Sequence, residues 1–403
     1  MRIVQINAVY NYGSTGRNTE DLHKFLLENH EESYVFCTNI HKPEEGVFKL
    51  GNKLSGLLHG ILSRISGLQG YYSFFPTRKL INNLDDIKPD VILLGNLHSN
   101  YINLPLFFSF LSKRNIAIAN VLHDCWTFTG HCCHYTEIDC DRWTDECHDC
   151  PLLREDNVSY IDRSDKSLKD KKKWFYGISR LGVVGVSDWI TNESKKSIVF
   201  PKHTLFKRIY NWIDLAAFHP MNKVEVIKRL NLPAYEAYSI SVSQSWSDNK
   251  GFNLILKLAR EYPKVGFIMV GEISNDKHLP NNIISTGRIS DQNQLCLYYN
   301  AASVYLNLSR QETFGKASAE ALACGIPILS SDKTASPEVC GDCGIVVNLD
   351  DYQSLSTALD KLLAPECRIS AEQCRRRVAE LFNKEKNLKQ YYDFLLSLSG
   401  NRR

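Results

Sequence analysis

Short apolar runs rich in β-branched residues alternate with longer amphipathic segments along the first half of the chain. The runs predict strands over residues 2–9, 33–37, 90–95, 116–122 and 181–187. A glycine-containing turn at residues 12–16 leads into a helix that ends near residue 29. Further helices are expected near residues 78–88, 104–114 and 189–196. Because the strands are apolar on both faces and are separated by helices, the pattern indicates a parallel sheet covered on both sides.

The same alternation restarts in the second half. It predicts strands over residues 238–243, 266–270, 283–285, 304–308, 328–330 and 345–347, and helices over residues 250–261, 292–299 and 315–323. Two successive runs of this kind indicate an α/β protein with two doubly wound domains, joined near residues 212–221. We expect the domains to cover residues 1–205 and 206–380, followed by a helical C-terminal segment over residues 381–403.

Composition and charge narrow the class of protein. The 403 residues include 48 Lys and Arg against 45 Asp and Glu, so the net charge of +3 does not favour a nucleic-acid partner. The longest nearly apolar run, residues 104–111, is far shorter than the ~20 residues that cross a bilayer. The first residues have the pattern of a strand and not of an export signal. We therefore expect a cytoplasmic protein whose 13 cysteines are mostly reduced.

A group of charged and small residues follows the fourth strand predicted in the second half. Ligands of open α/β sheets bind at the carboxyl ends of strands, and a helix N-terminus offers free amides to an anion. Gly315 opens a helix of small residues there, with Glu312 before it and Glu320 in its second turn. Lys316 and Lys250 both stand at predicted helix N-termini, where a lysine opposes the helix dipole. Each lysine alone could point into solvent, but the two together favour a site for a bound anion.

Glu312 and Glu320 in this setting resemble the paired glutamates of the retaining glycosyltransferases of family 4. Lys250-Gly251 is similar to the family's diphosphate-binding lysine and glycine, and the glycine-rich segment 13–17 is similar to its first loop. His123-Asp124 resembles its active-site histidine motif. These motifs cover most of the chain in the family's order, and they resemble most the subgroup of capsular and exopolysaccharide, colanic-acid-type glycosyltransferases.

The resemblance implies a GT-B fold, in which two Rossmann-like domains face each other across a cleft and a C-terminal helix crosses back onto the first domain. It implies a retaining, metal-independent hexosyltransferase of bacterial surface polysaccharide assembly. The donor would be a nucleoside-diphosphate sugar, and the acceptor a glycan or a lipid-linked glycan. Lysines and helix amides would neutralise the diphosphate, so no cofactor is expected to be required for catalysis.

The resemblance also assigns roles to single residues. Lys250 and the amides of Gly315 and Lys316 would bind the diphosphate, Glu312 the sugar hydroxyls, and Glu320 the ribose. The catalytic residues would be His123, Lys250 and Glu312. The donor-binding residues would be Gly16, Arg17, Lys250, Gly251, Arg288, Glu312, Phe314, Gly315, Lys316 and Glu320. His98, at the carboxyl end of a strand, and Asp124 would line the acceptor side.

One position departs from the family pattern. An arginine usually precedes the motif lysine by five or six residues, but Gln244 and Ser245 stand there. The replacement charge could come from Lys316, Arg310 or Arg17. Two alternative functions stay open: a GT-B-fold nucleotide-sugar 2-epimerase and a non-catalytic nucleotide-sugar-binding protein. The spaced glutamates argue against the epimerase, and the missing arginine is the support for the non-catalytic protein.

Five cysteines fall within residues 132–150, inside an insertion at residues 131–151. A structural zinc ion needs four soft ligands at short spacing, and the set predicted here is Cys133, Cys140, Cys147 and Cys150. The alternates within the insertion are Cys132, His131, His134 and His148. A disulfide framework is disfavoured in a reducing compartment, and buried thiols are the remaining alternative.

The segment 163–180 carries five lysines next to Trp174-Phe175-Tyr176. Two interpretations apply to this pattern. It is typical of a solvated helix face, and it also fits contact with an anionic membrane surface or a phosphate-bearing acceptor. The second interpretation places the protein peripherally on the inner face of the plasma membrane.

Overall fold

The computed structural model describes residues 1–274 and 278–400, so the last three residues of the predicted C-terminal segment lie outside the described residues. The chain divides into two compact units. The first unit comprises Met1–Ile209 together with the chain from Leu388 onward, and the second comprises Tyr210–Asn387.

The first unit is built on one parallel sheet with the strand order β3-β2-β1-β4-β5-β6-β7. Every residue of the strands β4, β5 and β6 is buried, as the apolar runs predict for a sheet covered on both faces. The strands are β1 (Arg2–Tyr10), β2 (Glu32–Ile40), β3 (Val47–Lys49), β4 (Val91–Leu94), β5 (Ala117–Leu122), β6 (Leu181–Gly185) and β7 (Leu205–Arg208). The helices are α1 (Gly13–Glu28), α2 (Lys53–Ser66), α3 (Phe74–Ile87), α4 (Leu104–Leu111), α5 (Ser164–Tyr176) and α6 (Asp188–Lys196).

The second unit repeats the arrangement with the parallel strand order β10-β9-β8-β11-β12-β13. Its strands are β8 (Ala237–Ser245), β9 (Val265–Glu272), β10 (Ile283–Gly287), β11 (Val304–Asn307), β12 (Ile328–Ser331) and β13 (Gly344–Val347). The helices are α7 (Lys223–Arg229), α8 (Phe252–Glu261), α9 (Gln292–Ala301), α10 (Lys316–Ala323), α11 (Ser336–Cys340), α12 (Tyr352–Leu363), α13 (Ala371–Leu381) and α14 (Lys384–Ser399).

The final helix begins in the second unit and continues into the first. Within the first unit its end packs on the sheet at Gly182 of β6. A Cβ atom at this glycine would lie 2.6 Å from both Leu398 Cδ1 and Phe394 Cζ, so only a glycine allows the helix to approach this closely. Arg180 also donates a hydrogen bond of 2.8 Å to the carbonyl of Ser399.

Both sheets change direction beside their first strand. β1 lies between β2 and β4, and β8 lies between β9 and β11. The loops that leave the two central strands of each sheet therefore run to opposite faces and open a crevice at the carboxyl edge, where ligands of doubly wound sheets bind. Of the predicted site residues, His98 follows β4, Lys250 follows β8 and Glu312 follows β11, whereas His123 and Asp124 follow β5 and Arg288 follows β10. The α/β fold class with two doubly wound domains is thus confirmed.

Some elements differ from the sequence expectation. The edge strands β3 and β7 lack a continuous apolar run because their residues are half exposed, and they were not expected. Lys250 does not open a helix. It ends a short 3₁₀ turn at Asp248–Lys250, and α8 begins two residues later, after Gly251 takes a left-handed φ of +76°. No helix among the described residues has the length and apolar character needed to cross a membrane.

Candidate active site

Lys250 and Glu312 meet at the carboxyl edge of the second sheet. The Lys250 Nζ atom lies 2.7 Å from Glu312 Oε1 and also donates to Ser309 Oγ at 3.2 Å and to the Gln311 carbonyl at 3.3 Å. Both side chains keep partial solvent access, at 36% and 24% exposure. The ammonium group is therefore held in place by three acceptors, yet it remains reachable by a ligand.

The two loops that carry this ion pair are locked to each other. A Cβ atom at Gly251 would lie 2.5 Å from the Leu308 carbonyl oxygen, so the loop after β8 touches the loop after β11 through a position that only glycine can occupy. The Arg310 amide donates to the Asn249 carbonyl at 2.9 Å. On the other side, the Glu312 amide donates to Thr334 Oγ1 at 2.9 Å. These contacts fix where Lys250 and Glu312 point.

The N-terminus of α10 lies directly after Glu312 and is free of side-chain caps. Gly315 is the N-cap residue with φ of +90°, no side chain caps the helix, and its first turn contains no acidic residue. Asn307, the last residue of β11, is 5% exposed, and its Nδ2 donor has no hydrogen-bond partner. A helix N-terminus without a side-chain cap and an unsatisfied buried donor at one place form an anion-binding arrangement.

Glu320 and Phe314 lie deeper in the second unit. Glu320 is 6% exposed, and Tyr299 Oη donates to its Oε2 atom at 3.0 Å. Burial, and then the negative charges of Glu312 and Glu320, raise the pKa of Tyr305, so both motif glutamates lie within electrostatic range of that ring. Phe314 is buried and packs edge-on against Phe382 with ring centroids 5.2 Å apart. Its side chain thus supports the loop from inside.

Arg288 contacts the end of β8, where Gln244 and Ser245 stand in place of the arginine that is usual in the family. Its Nε atom donates to the Gln244 carbonyl at 3.3 Å and lies 3.0 Å from Glu272 Oε1. Arg310, one of the residues expected to replace the missing charge, instead pairs with Asp350 at 2.7 Å. The loop after β10 therefore brings a guanidinium group into hydrogen-bond contact with the backbone at Gln244.

In the first unit, His98 and Asp124 form an ion pair after β4 and β5. His98 Nε2 lies 2.8 Å from Asp124 Oδ2, and the Trp126 amide donates to Asp124 Oδ1 at 2.9 Å. Burial disfavours the charged form of both groups, but the attraction and hydrogen bond between His98 and Asp124 are stronger together. The pKa of His98 is therefore raised, and the pKa of Asp124 is lowered to about 2. His123 directly follows β5 and is half-buried.

Gly16 and Arg17 lie in the first two turns of α1 and not in a loop. A Cβ atom at Gly16 would lie 3.3 Å from the backbone carbon of Tyr10 and 3.2 Å from Val9 Cγ2, so the glycine lets the helix pack closely on the end of β1. The expectation of a glycine-rich turn at residues 12–16 fails because helix α1 already begins at Gly13, where φ is +63°. Arg17 is half-buried on the first turns of that helix.

The cysteine-rich insertion separates Cys133 from the other predicted zinc ligands. Cys133 Sγ accepts a hydrogen bond from Asn157 Nδ2 at 3.3 Å, and within the described residues the one group of three ligand-type atoms within 4.8 Å of one another is His98, Asp124 and Cys133. The four predicted cysteines do not meet at that spacing. Burial, and then the nearby Cys150, raise the pKa of Cys132.

The lysine-rich segment 163–180 is engaged by its own unit. Lys171 is buried, donates to the carbonyls of Trp126 at 2.6 Å and Thr129 at 2.9 Å, and burial lowers its pKa to about 7. Lys169 pairs with Glu146 at 2.6 Å, and Trp174 stacks on Phe108. The interpretation of this segment as a solvated helix face is wrong at Lys171, which instead ties α5 to the loop directly before the insertion.

Two residues of the site were missed from sequence. Asn307 and Tyr299 place polar groups beside α10 and Glu320, respectively. The signal for Asn307 is a polar residue at the end of an otherwise apolar strand. Tyr299 has no comparable signal, because a tyrosine on an amphipathic helix is commonly a core residue.

Similarity to known proteins decides the nature of the second unit. Residues 239–365 match the family described as Glycosyl transferases group 1. The matched segment lies within the second unit and is similar to that family. It contains the paired glutamates, Lys250 and α10, so the sheet edge described above lies inside the segment that matches.

Longer alignments agree with this result. An N-acetyl-alpha-D-glucosaminyl L-malate synthase from Bacillus anthracis is 25% identical over 252 residues, which cover 58% of this chain and 64% of the relative. The putative colanic acid biosynthesis glycosyl transferase WcaC from Escherichia coli (strain K12) is 23% identical over 269 residues, which cover 64% of this chain and 63% of the relative. The alignments thus span slightly less than two thirds of the length of these relatives.

Solved structures show the fold. Sucrose-phosphate synthase from Thermosynechococcus elongatus matches with a TM-score of 0.71 at 17% identity, covering 98% of each chain. HepE from Anabaena, in complex with UDP and glucose, matches with a TM-score of 0.67 at 14% identity, covering 98% of this chain and 100% of that one. The fold is GT-B.

Proposed function

We propose that the protein is a retaining, metal-independent glycosyltransferase that moves a hexose from a nucleoside-diphosphate sugar to a glycan or lipid-linked acceptor in bacterial surface polysaccharide assembly. The observation that carries the proposal is the Lys250–Glu312 ion pair beside the uncapped N-terminus of α10. One sheet edge thus holds a cation, a carboxylate and an uncapped helix N-terminus, in the segment that matches the group 1 family. These three features suit a donor that combines a diphosphate with a hydroxylated sugar.

The diphosphate would be bound by Lys250 together with the amides of Gly315 and Lys316. Asn307 Nδ2, which has no hydrogen-bond partner, would add a donor from beneath. These groups are fixed before the donor arrives, so they stabilise the leaving diphosphate without reorganising. UDP and glucose bound to the structurally similar HepE support a nucleotide-sugar donor of this class.

The sugar would be oriented by Glu312 and the ribose would be bound by Glu320. When the bond between the anomeric carbon and the phosphate oxygen breaks, the diphosphate leaves with the electron pair. The acceptor hydroxyl then attacks the same face of the anomeric carbon, and its proton passes to a phosphate oxygen. Glu312 acts on the developing positive charge of the sugar ring, and no protein nucleophile is required.

The first experiment is a thermal-shift screen with UDP-, GDP-, ADP- and CMP-sugars. The true donor at 100 times its Kd should add about 2.7 kcal/mol to the free energy of unfolding. Release of the nucleoside diphosphate is then measured for the wild type and for Glu312→Ala. We expect the substitution to lower turnover by about 10²–10³-fold, because it removes a contact that strengthens in the transition state.

A second test variant and a control complete the experiment. Lys250→Ala should weaken donor binding and lower turnover together, since the diphosphate is charged before and after cleavage. Lys264→Ala removes a 2.7 Å ion pair with Glu236 on the exposed surface of the same unit and should leave both constants within about twofold. Donor binding without release or transfer would identify the non-catalytic alternative, and a donor epimer as product would identify the 2-epimerase.

A further inference from the structure

Helix α2 in the first unit turns a row of large apolar side chains outward. The row, called here the α2 face, follows the i, i+3, i+4, i+7 spacing of one helix side, and each member is between 45% and 73% exposed. The residues are Leu54, Leu57, Leu58, Ile61 and Ile65. An amphipathic surface helix normally buries such a row against the core, so this outward orientation requires an explanation.

The helix is held in this orientation from its other side. His59 and Ser63 are its buried residues, and His59 Nδ1 lies 2.6 Å from Ser73 Oγ. Asn52 caps the N-terminus by accepting from the Ser55 amide at 2.8 Å, and Gly67 ends the helix in the left-handed conformation. Because both ends are capped and the polar side is anchored, the α2 face is a stable part of the folded surface.

Further exposed apolar residues border α2. Phe74 and Phe75 begin α3 directly after Ser73, the residue that bonds His59, and they are 51% and 84% exposed. Next to the other end of α2, the Tyr160 amide donates to the Arg64 carbonyl at 2.7 Å, and Tyr160 itself is exposed. Aromatic side chains at the rim of an apolar helix face are typical of helices that lie in a membrane interface.

The chain segment that contains α2 carries charge of one sign. Residues 46–84 contain no Asp or Glu, and they contain five basic residues that are all exposed, against a net charge of +3 for the whole chain. These residues are Lys49, Lys53, Arg64, Arg78 and Lys79. Within residues 1–274 and 278–400, no acidic side chain forms an ion pair with any of them. A positive rim around an apolar face complements an anionic lipid surface, whereas two copies of the same face would repel each other.

We propose that the α2 face is a membrane-docking surface, which inserts its leucines and isoleucines into the interface of an anionic bilayer while the surrounding lysines and arginines contact lipid headgroups. The proposal concerns binding and is independent of the proposed transferase activity. It moves the membrane contact away from the segment 163–180, where Lys171 is buried and Lys169 is paired with Glu146.

The test is co-flotation of the full chain with vesicles of phosphatidylcholine containing 30% phosphatidylglycerol, and with phosphatidylcholine vesicles alone. The wild type should bind the anionic vesicles and lose binding as salt rises. Leu57→Ser/Ile61→Ser should lower the partition coefficient at least tenfold. Lys53→Gln/Arg64→Gln should lower it about 30-fold, since each basic residue near the surface contributes about a fivefold factor. Because all four residues are exposed, the Tm should stay unchanged.

The matched control is Lys172→Gln/Lys173→Gln, which removes two charges from α5 and should leave binding within twofold. Unchanged vesicle binding by Leu57→Ser/Ile61→Ser would overturn the proposal. So would loss of binding in the α5 variant alone. A wild-type dimer in sedimentation that the serine variant dissociates, with no vesicle binding by either protein, would assign the α2 face to a second copy and would also overturn it.

Discussion

Arg288 is the residue whose position changes the interpretation of the donor site most. The family arginine before the motif lysine supplies positive charge beside the end of β8, and Gln244 and Ser245 cannot supply it. The guanidinium of Arg288, from the loop after β10, lies against the Gln244 carbonyl instead. A charge supplied from a neighbouring strand end can neutralise the same diphosphate, because electrostatic stabilisation depends on distance and not on the position of the residue in the sequence.

Substitution of Arg288 should therefore weaken donor binding. We expect Arg288→Ala to raise the KM for the donor about tenfold or more, and Arg288→Lys to restore part of it, because a lysine keeps the charge but loses the planar fork. Arg310→Ala is the matched comparison, because Arg288 is paired with Glu272 and Arg310 with Asp350, so each variant removes one ion-paired guanidinium group. Steady-state kinetics with varied donor measure both variants. A larger KM effect in Arg310→Ala than in Arg288→Ala would assign the charge to Arg310.

The His98–Asp124 pair should make stability depend on pH in a defined window. The pKa of Asp124 is lowered to about 2, so its contribution is present above its unfolded pKa near 4 and is lost as pH falls through 2. The pKa of His98 is raised, so its contribution is present below about 6.5 and is lost as pH rises through the raised value.

Asp124→Asn should thus lower the free energy of unfolding by about 2 kcal/mol between pH 4 and 6.5, and by less outside that range. The asparagine oxygen can still accept from the Trp126 amide, so the local backbone stays in place. Thermal denaturation of both proteins from pH 3 to 9 gives the difference, and NMR titration should show a lower His98 pKa in the variant. A difference that grows steadily above pH 7 would contradict this account.

At the scale of elements, the segment between β5 and α5, which includes the cysteine-rich insertion, contains only short 3₁₀ turns, at residues 126–128, 136–138 and 142–144. Such a segment has little backbone pairing of its own and depends on side-chain contacts. Lys171 of α5 provides one tether, and Asp162 Oδ2 provides another by accepting from the Cys150 amide at 2.6 Å. The zinc ion predicted from the cysteine spacing would add a third constraint, and it stays a prediction.

The contacts of Cys133 favour its alternate, Cys132, as the fourth zinc ligand. Cys133 Sγ accepts a hydrogen bond from Asn157 and groups with His98 and Asp124. Metal analysis of the purified chain should find about one zinc per molecule. Cys132→Ser should lose the zinc, and Cys133→Ser should keep it. The thiols must approach one another to reach tetrahedral spacing, so metal addition should also raise the Tm. A metal-free wild type of unchanged stability would remove the zinc prediction.

Buried strands and helices with one apolar side could be predicted from the sequence, but elements at the periphery could not. β4 and β5 are buried along their whole length, so their composition alone identifies them. β7 alternates exposed and half-buried residues at the edge of the sheet, and it resembles a loop. The roles of Glu312 and Lys250 as site residues stay predictions from the sequence. Their direct ion pair could not be predicted, because it depends on the tertiary packing of two loops through Gly251.

At the scale of the whole molecule, the two units share one construction. Each sheet reverses direction beside its first strand, and each places its candidate residues at the carboxyl edge of that reversal. The second unit carries the cation, the carboxylates and the helix amides, and the first carries the histidines and Asp124. The segment that matches the family described as Glycosyl transferases group 1 thus holds the charged groups that the proposed function assigns to a leaving diphosphate.

This construction leads to a prediction about the reaction itself. Transfer should retain the anomeric configuration and should continue at more than half its rate after free divalent ions are removed with EDTA, because Lys250, the α10 amides and Arg288 take the place of a metal on the diphosphate. Proton NMR of the product measures the coupling constant of the anomeric proton and gives the configuration directly.

The EDTA experiment is controlled by a parallel sample with excess magnesium, and the Tm of both samples is recorded, because loss of a structural zinc would lower stability before it lowered turnover. Inversion at the anomeric carbon would contradict the retaining assignment while leaving the GT-B fold intact. Loss of activity on EDTA treatment without a change in Tm, with recovery on magnesium addition, would show that a metal neutralises the diphosphate and that Lys250 has another role.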